Sequence, residues 1–261
     1  MKTRTFFFMA CILLLATSGF AQQNTIEGDG NIITKEISIS DYDEISYVGN
    51  VNIEYEQSNA SPYLKITTDG NILSHLDIKI KGKTLIIQPK DERIYFKGNS
   101  YGLNLKPTVC EIKTNARELK DISAVGGGEF VAKTPLKVDR LNVDIAGSST
   151  INFDKRLEAR KIDFSVAGSG DINATRLKVD NLDCSVAGSG SVLLKGEAER
   201  GDLSVAGGEI SALSDASSGK WNAVLPVVET LRYMQPNNWM PVLPVAVIYD
   251  MKEIRNSAKT L

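Results

Sequence analysis

A short motif returns along the middle of the chain at nearly constant intervals, and this repeat limits the fold more than any other feature. Val125-Gly126-Gly127-Gly128-Glu129-Phe130 is followed by Ile145-Ala146-Gly147-Ser148-Ser149-Thr150-Ile151, then by Val166-Ala167-Gly168-Ser169-Gly170-Asp171-Ile172. Val186-Ala187-Gly188-Ser189-Gly190-Ser191-Val192 and Val205-Ala206-Gly207-Gly208-Glu209-Ile210 complete the series, with starts 20, 21, 20 and 19 residues apart. Self-similarity at this period indicates stacked supersecondary units, each burying its apolar side against the next.

Within a unit the apolar residues alternate with period two, the pattern of a strand with one buried face. One stretch reads Leu141, Val143, Ile145, then Ile162, Phe164, Val166, then Leu182, Cys184, Val186. A second reads Ile151, Phe153, then Ile172, Ala174, then Val192, Leu194, then Ile210, Ala212, and a third reads Leu136, Val138, then Leu157, Ala159, then Leu177, Val179. Three short strands per unit predict an all-β fold: a single-stranded parallel β-helix with coils of about 20 residues, five to eight of them. Leucine-rich repeats share the period, but their Asn ladder and helical segment are missing. The glycines belong to the corner, where successive coils stack and the backbone needs conformations and approaches that a side chain obstructs. A phosphate-binding loop would need a helix after the glycines, and here a strand follows each time.

The sequence divides accordingly. Residues 116–213 carry the repeats, and residues 22–115 form an irregular, strand-rich N-terminal cap. Gly30-Asn31-Ile32 and Val51-Asn52-Ile53 look like degenerate coils, while Asp69-Gly70 and Lys81-Gly82 mark turns between runs such as Leu76-Ile78-Ile80 and Leu85-Ile87. These runs predict hairpin-like extensions that close the N-terminal end, since an open coil offers unpaired backbone groups to other chains.

Residues 1–21 have the form of a secretory signal: Lys2 and Arg4, an apolar run over residues 6–16, and small residues ending in Gly19-Phe20-Ala21. The run is shorter than the ~20 residues of a membrane span. Cleavage is expected after Ala21, which leaves 28 basic against 32 acidic residues and places the protein in the periplasm, on the cell surface or outside. Lipid attachment at Cys11 is not expected, because Phe8-Met9-Ala10 precede it and the apolar run continues beyond it. Cys110 and Cys184 both fall on the apolar side of strands, so buried free thiols are expected rather than a bridge.

Composition removes several chemistries. A single His, His75, has no ligand-spaced partner and reads as a surface or turn residue; so low a count removes most hydrolase triads, His-based metal sites and His acid–base pairs. The near-neutral charge argues against nucleic acid. Two polar columns emerge from aligning the repeats. Asn142, Asp163, Asp183 and Asp202 share one outward position, about 4.8 Å apart by strand spacing, with Arg140, Lys161 and Arg200 two positions earlier on the same face. Asp163, Asp183 and Asp202 could form a weak calcium row, though a solvated charge ladder is the expectation. The second column runs Glu129, Thr150, Asp171, Ser191 and Glu209. Asp171 and Glu209, two coils and roughly 9–10 Å apart, lie at the upper edge of inverting-glycosidase spacing, but nothing suggests a pocket to raise either pKa. No catalytic residue and no cofactor is assigned. Outward aromatics at Tyr47, Tyr55, Tyr63, Tyr95 and Tyr101 could stack on sugars.

The stretch Ser165-Val166-Ala167-Gly168-Ser169-Gly170-Asp171-Ile172-Asn173-Ala174, with Tyr42-Asp43-Glu44-Ile45-Ser46-Tyr47-Val48-Gly49-Asn50-Val51-Asn52-Ile53-Glu54-Tyr55 before it, resembles the head GIN domain family of putative auto-transporter adhesins. The resemblance runs over residues 37–212. It implies an exported β-helical protein of Bacteroides-type bacteria and carries over no catalytic residue. The expected role is a non-catalytic envelope or surface protein binding glycans or other envelope components. A carbohydrate-active enzyme and a purely structural scaffold stand as alternatives.

Residues 214–261 break the pattern. Trp221 and Trp239 lie here, with Pro226, Pro236, Pro241 and Pro244, which cannot donate to a ladder. Leu225-Pro226-Val227 recurs as Leu243-Pro244-Val245, 18 residues on. Read one base back, Trp221-Asn222 forces Glu, Met234-Gln235 forces Ala, Asn238-Trp239 forces Leu, Trp239-Met240 forces Asp and Met240-Pro241 forces Ala. Permitted codons for the rest restore two coils with the V-A-G-S-G-D-I motif. A frameshift between residues 213 and 220 is therefore expected to have replaced the last coils with an out-of-frame tail.

Overall fold

The computed structural model describes residues 24–90, 94–96, 99–101 and 103–214, with short strands at 223–224, 234–235 and 238–239. The expected signal segment, including Cys11, and nearly all of the divergent tail lie outside the described residues.

The N-terminal part runs β1 (Asn24–Glu27), β2 (Ile32–Ser38), β3 (Glu44–Asn50), β4 (Asn52–Gln57) and β5 (Tyr63–Asp69), then one helical turn, α1 (Gly70–Leu73). It continues through β6 (Leu76–Lys81), β7 (Thr84–Pro89), β8 (Ile94–Phe96), β9 (Asn99–Tyr101), β10 (Leu103–Lys106) and β11 (Cys110–Ala116). The repeats form β12 (Asp121–Gly127), β13 (Glu129–Ala132), β14 (Leu136–Gly147), β15 (Thr150–Phe153), β16 (Leu157–Gly168), β17 (Asp171–Gly188), β18 (Ser191–Ala206) and β19 (Glu209–Ser214).

Every neighbouring pair among β12–β19 is parallel, and the ladders join residues one repeat apart, such as Ile162 to Leu182 and Ile151 to Ile172. This is the expected β-helix, with about four regular turns between residues 136 and 214. Two shorter turns precede them, because β12 pairs in parallel with β3 and β13 with β4. The N-terminal segment thus supplies the first rung of the same stack. Two sheets result. One face stacks β3, β12, β14, β16, β17 and β18; after the glycine corner, a second stacks β4, β13, β15, β17, β18 and β19.

The alternation predicted from the sequence sorts inside from outside. Ile45, Ile122, Val143, Phe164, Cys184 and Leu203 form one inward column and are all buried. A neighbouring column alternates large and small (Tyr55, Ala132, Phe153, Ala174, Leu194, Ala212), which lets layers of unequal width interdigitate at native density. Aromatic contacts bridge successive layers, with ring centroids 5.9 Å apart for Tyr55–Phe130 and 6.0 Å for Phe153–Phe164. Cys110 and Cys184 are free and buried, as expected, and burial pushes the Cys184 thiol up to about 12.

The cap departs from the reading of Gly30-Asn31-Ile32 as a coil. β2 instead pairs antiparallel with β5, which pairs antiparallel with β11, and β11 joins the solenoid alongside β4. The cause lies in β2 itself, which lacks an inward apolar alternation: Ile32 and Ile33 stay exposed and only Ile37 packs towards the core. The Lys81-Gly82 turn does close a hairpin, β6–β7, with Ile78 opposite Ile87 and Ile80 opposite Leu85. Asp69-Gly70 starts α1 rather than a hairpin. Asp69 itself is fully buried and ties the cap's loops together, accepting the N–H of Gly30 at 2.9 Å and of Thr108 at 2.8 Å. Burial alone would raise its pKa, yet these donors hold the carboxyl below its ordinary range.

Candidate functional site

The repeated polar chemistry gathers on the outer surface of the β3–β12–β14–β16–β17–β18 face, which is the candidate site. Strand parity directs every second residue outward, and parallel register repeats that residue type from coil to coil. Four columns follow. Arg140, Lys161, Asn181 and Arg200 form the first; Asn142, Asp163, Asp183 and Asp202 form the second, as the repeat alignment predicted. The structure extends this acidic column downward through Asp121 to Glu44, which comes from the cap. A third column, not recognised from the motif, runs Ser46, Ser123, Asp144, Ser165, Ser185 and Ser204. Its signal was present in the Ser-Val pairs preceding the last three corners, Ser165-Val166, Ser185-Val186 and Ser204-Val205. The fourth is Val48, Val125, Ala146, Ala167, Ala187 and Ala206, next to the glycine corner.

Several of the acidic groups are neutralised or hydrogen-bonded by neighbours. The Lys161 ammonium pairs with Asp183 of the following coil, so its compensation is between coils rather than within its own. Thr84 donates its hydroxyl to Glu44, and Asn142 donates to Asp121 at 3.4 Å. Burial pushes the Asp121 carboxyl up to about 6, the Asn142 hydrogen bond opposes this, and the charges of Asp144 and Glu44 add to it. Among the described residues no group of three or more His, Cys, Asp or Glu is arranged to hold a metal ion. Asp163, Asp183 and Asp202 stand one per coil, in register.

The second polar column sits on the other sheet in the predicted register: Glu129, Thr150, Asp171, Ser191, Glu209. Ser191 lies between Asp171 and Glu209 and donates both its N–H, at 3.0 Å, and its hydroxyl to Asp171. Glu209 accepts from Ser211 at 2.9 Å. Beside them Asn173 donates to Asn152 at 2.8 Å and Asn152 to Glu129, a side-chain ladder that ties three coils. An open groove of ≈ 160 Å³ lies at the lower end of this sheet, lined by residues including Asn52, Glu54, Lys113 and Lys133. Both lysines are directed at Glu54, at 2.7 and 3.5 Å.

The aromatic expectation is corrected in part. Tyr47 and Tyr55 face inward and are fully buried, Tyr55 donating to the carbonyl of Ala116 at 3.1 Å. Their parity follows Ile45 and Ile53, so they fill the interior of the first turn instead of offering rings to a ligand. Tyr63 is exposed, at 41%. The side chains of Tyr95 and Tyr101 lie outside the described residues. His75 follows α1 at the turn into β6, half-buried, with its N–H on the Ile72 carbonyl at 2.9 Å. No helix among the described residues is long and apolar enough to cross a membrane.

Comparison with known proteins agrees with this architecture. A crystal structure of a putative lipid binding protein from Parabacteroides distasonis is 38% identical, with a TM-score of 0.69 over 77% of this chain and 81% of that one. A putative adhesin from Parabacteroides merdae is 28% identical, with a TM-score of 0.63 over 77% of this chain and 80% of that one. A second P. distasonis protein, also a putative adhesin, is 25% identical, with a TM-score of 0.65 over 77% and 81%. No curated protein matches the chain. Residues 41–220 match the family described as "Putative auto-transporter adhesin, head GIN domain", a span that holds both the cap's first rung and all the regular turns. With the first rung and the regular turns inside one continuous match, the chain belongs to the head GIN domain family.

Proposed function

We propose that this is an exported, non-catalytic protein of the cell envelope or surface, whose four-column face engages glycans or another envelope component. The observation that carries the reading is the array on that face, where carboxylates and hydroxyls recur in register from Glu44 and Ser46 up to Asp202 and Ser204. A periodic array of this kind suits a repetitive partner. The acidic excess of the face disfavours nucleic acid. The two acids spaced for glycoside hydrolysis are separated by Ser191, which hydrogen-bonds one of them.

A glycan array probed with the purified full chain tests this. Retention on defined glycans supports it. Silence across the array points to a scaffold, and binding to phospholipid vesicles alone moves the partner to a lipid surface. Release of oligosaccharides from a polysaccharide panel would replace binding with catalysis.

A further inference from the structure

The regular turns are so alike that their core does not say which coil belongs beside which. Inward columns exchange like for like, as in Leu136, Leu157, Leu177 and in Ile145, Val166, Val186, all of them buried. On the four-column face Ser165 stacks on Ser185 and Ser204, Ala167 on Ala187 and Ala206, and Asp163 on Asp183 and Asp202. A coil displaced by one rung would bury the same kinds of group and meet the same outward neighbours. Strands specify register weakly when their pattern is this degenerate.

The third side of each coil, residues 136–139, 157–160, 177–180 and 196–199, is built differently. Its outward column reads Lys137, Glu158, Lys178, Glu197, so the sign of the charge inverts at every coil. Two places further along, Asp139, Arg160 and Asp180 alternate in the opposite phase, and Glu199 ends that alternation. The contacts run between coils. Lys137 meets Glu158 at 3.2 Å, and Arg160 donates to Asp139 twice, from Nε at 2.7 Å and from Nη2 at 3.0 Å. Lys137, with smaller contributions from Arg156 and from Lys178 of the following coil, holds the Glu158 carboxyl below its ordinary range. Asp139 chiefly, and Asp180 on the other side, keep the Arg160 guanidinium charged. Each such surface pair adds little to stability. Their weight lies in the comparison between registers: skipping one rung sets Lys137 against Lys178 and Asp139 against Asp180, which replaces attraction by repulsion in two columns at once. Like charges directly opposite on neighbouring strands are destabilising, and specificity is the difference between the right pairing and the wrong one.

We propose that the charge-alternating third side is a register key, which directs each coil onto its proper neighbour during folding and disfavours stacking displaced by one coil. A disulfide reporter in the full chain tests it, Ala167→Cys with Ala206→Cys. These positions flank Ala187 in one column, two rungs apart in the native stack and beyond disulfide reach, but adjacent once a rung is skipped. Refolding from urea under mild oxidation, followed by peptide mapping of the monomer by mass spectrometry, measures the bridge between them. Glu158→Lys with Arg160→Asp reverses one rung at unchanged net charge and should raise that bridge about tenfold, because two columns lose their preference. Inverting the ladder throughout (Lys137→Glu, Glu158→Lys, Lys178→Glu, Glu197→Lys, Asp139→Arg, Arg160→Asp, Asp180→Arg) restores the alternation and should return the bridge to the parent's level. A loss of stability alone does not single out this pair of cysteines. If the rung-reversed chain does not fold, Lys178→Glu alone, which sets three carboxylates in one column, takes its place. Equal bridging in the parent and the rung-reversed chain, or bridging in the fully inverted chain as high as in the rung-reversed one, overturns the inference.

Discussion

Replacing Gly188 by Ala tests the stacking of the corner directly. Gly188 has φ +124° and sits over Gly168, so an added Cβ would lie 2.3 Å from the Gly168 carbonyl oxygen and 3.0 Å from its carbonyl carbon. That oxygen cannot retreat freely, since it accepts the N–H of Ser189 at 2.8 Å and of Gly190 at 3.0 Å. Forcing a side chain into this backbone conformation costs about 1–3 kcal/mol. Displacing the carbonyl weakens two hydrogen bonds worth about 0.5–1.5 kcal/mol each. The expected loss is about 3–5 kcal/mol, a large part of the 5–15 kcal/mol typical of a folded domain. Gly49 is the internal control. It occupies the same corner column at φ +106°, but it begins the stack, and a Cβ there meets nothing within 4 Å. Gly49→Ala should therefore cost only the conformational strain, about 1–2 kcal/mol. Urea titrations of the two variants and the parent, followed by far-UV circular dichroism, measure the difference at matched denaturant. Equal losses at the two positions, or a Gly188→Ala chain as stable as the parent, would refute the claim that inter-coil contact, rather than local backbone preference, demands glycine here.

Other expectations follow from the same structure. Asp121 has a raised folded-state pKa of about 6, so its stabilising contribution is present in acid and is lost as pH rises through 6; Asp121→Asn should raise the melting temperature above pH 7 and flatten its pH dependence between about pH 4 and 6. Asp69 has the opposite sign, because its folded pKa is lowered: Asp69→Asn should lower the melting temperature at neutral pH, and the gap should close as acid protonates the parent's carboxylate. Melting in millimolar calcium and in chelator should coincide, and a calcium-dependent rise abolished by Asp163→Asn, Asp183→Asn and Asp202→Asn together would establish the metal row. Resequencing the gene across codons 212–222 should reveal a missing or extra base; a confirmed frame would make the divergent tail a native segment. Mass spectrometry of secreted protein should place the mature N-terminus at Gln22, and a retained leader or lipid-modified Cys11 would contradict the expected processing.

How much of this was legible in advance depends on how far apart along the chain the deciding residues lie. Period-two alternation is local, and its return after about twenty residues specifies both which face is buried and which residue stacks on which. Hence the solenoid, the Asn142–Asp163–Asp183–Asp202 column and the buried thiols could be read from the letters alone. The cap could not be, because its pairings join residues without mutual similarity, such as Ile33 with Thr68 and Glu111 with Thr67. Tyr47 and Tyr55 carry the same alternation signal as their aliphatic neighbours, but a ring that stacks on a ligand and one that fills a core read alike as letters, and only the structure shows both buried. The same holds for the properties on which function turns. The Lys161–Asp183 pairing and the raised pKa of Asp121 arise from side chains contributed by adjacent coils. Composition and spacing determined the scaffold and its columns; packing between coils decided which of those polar groups are neutralised, which are desolvated and which remain open to a partner.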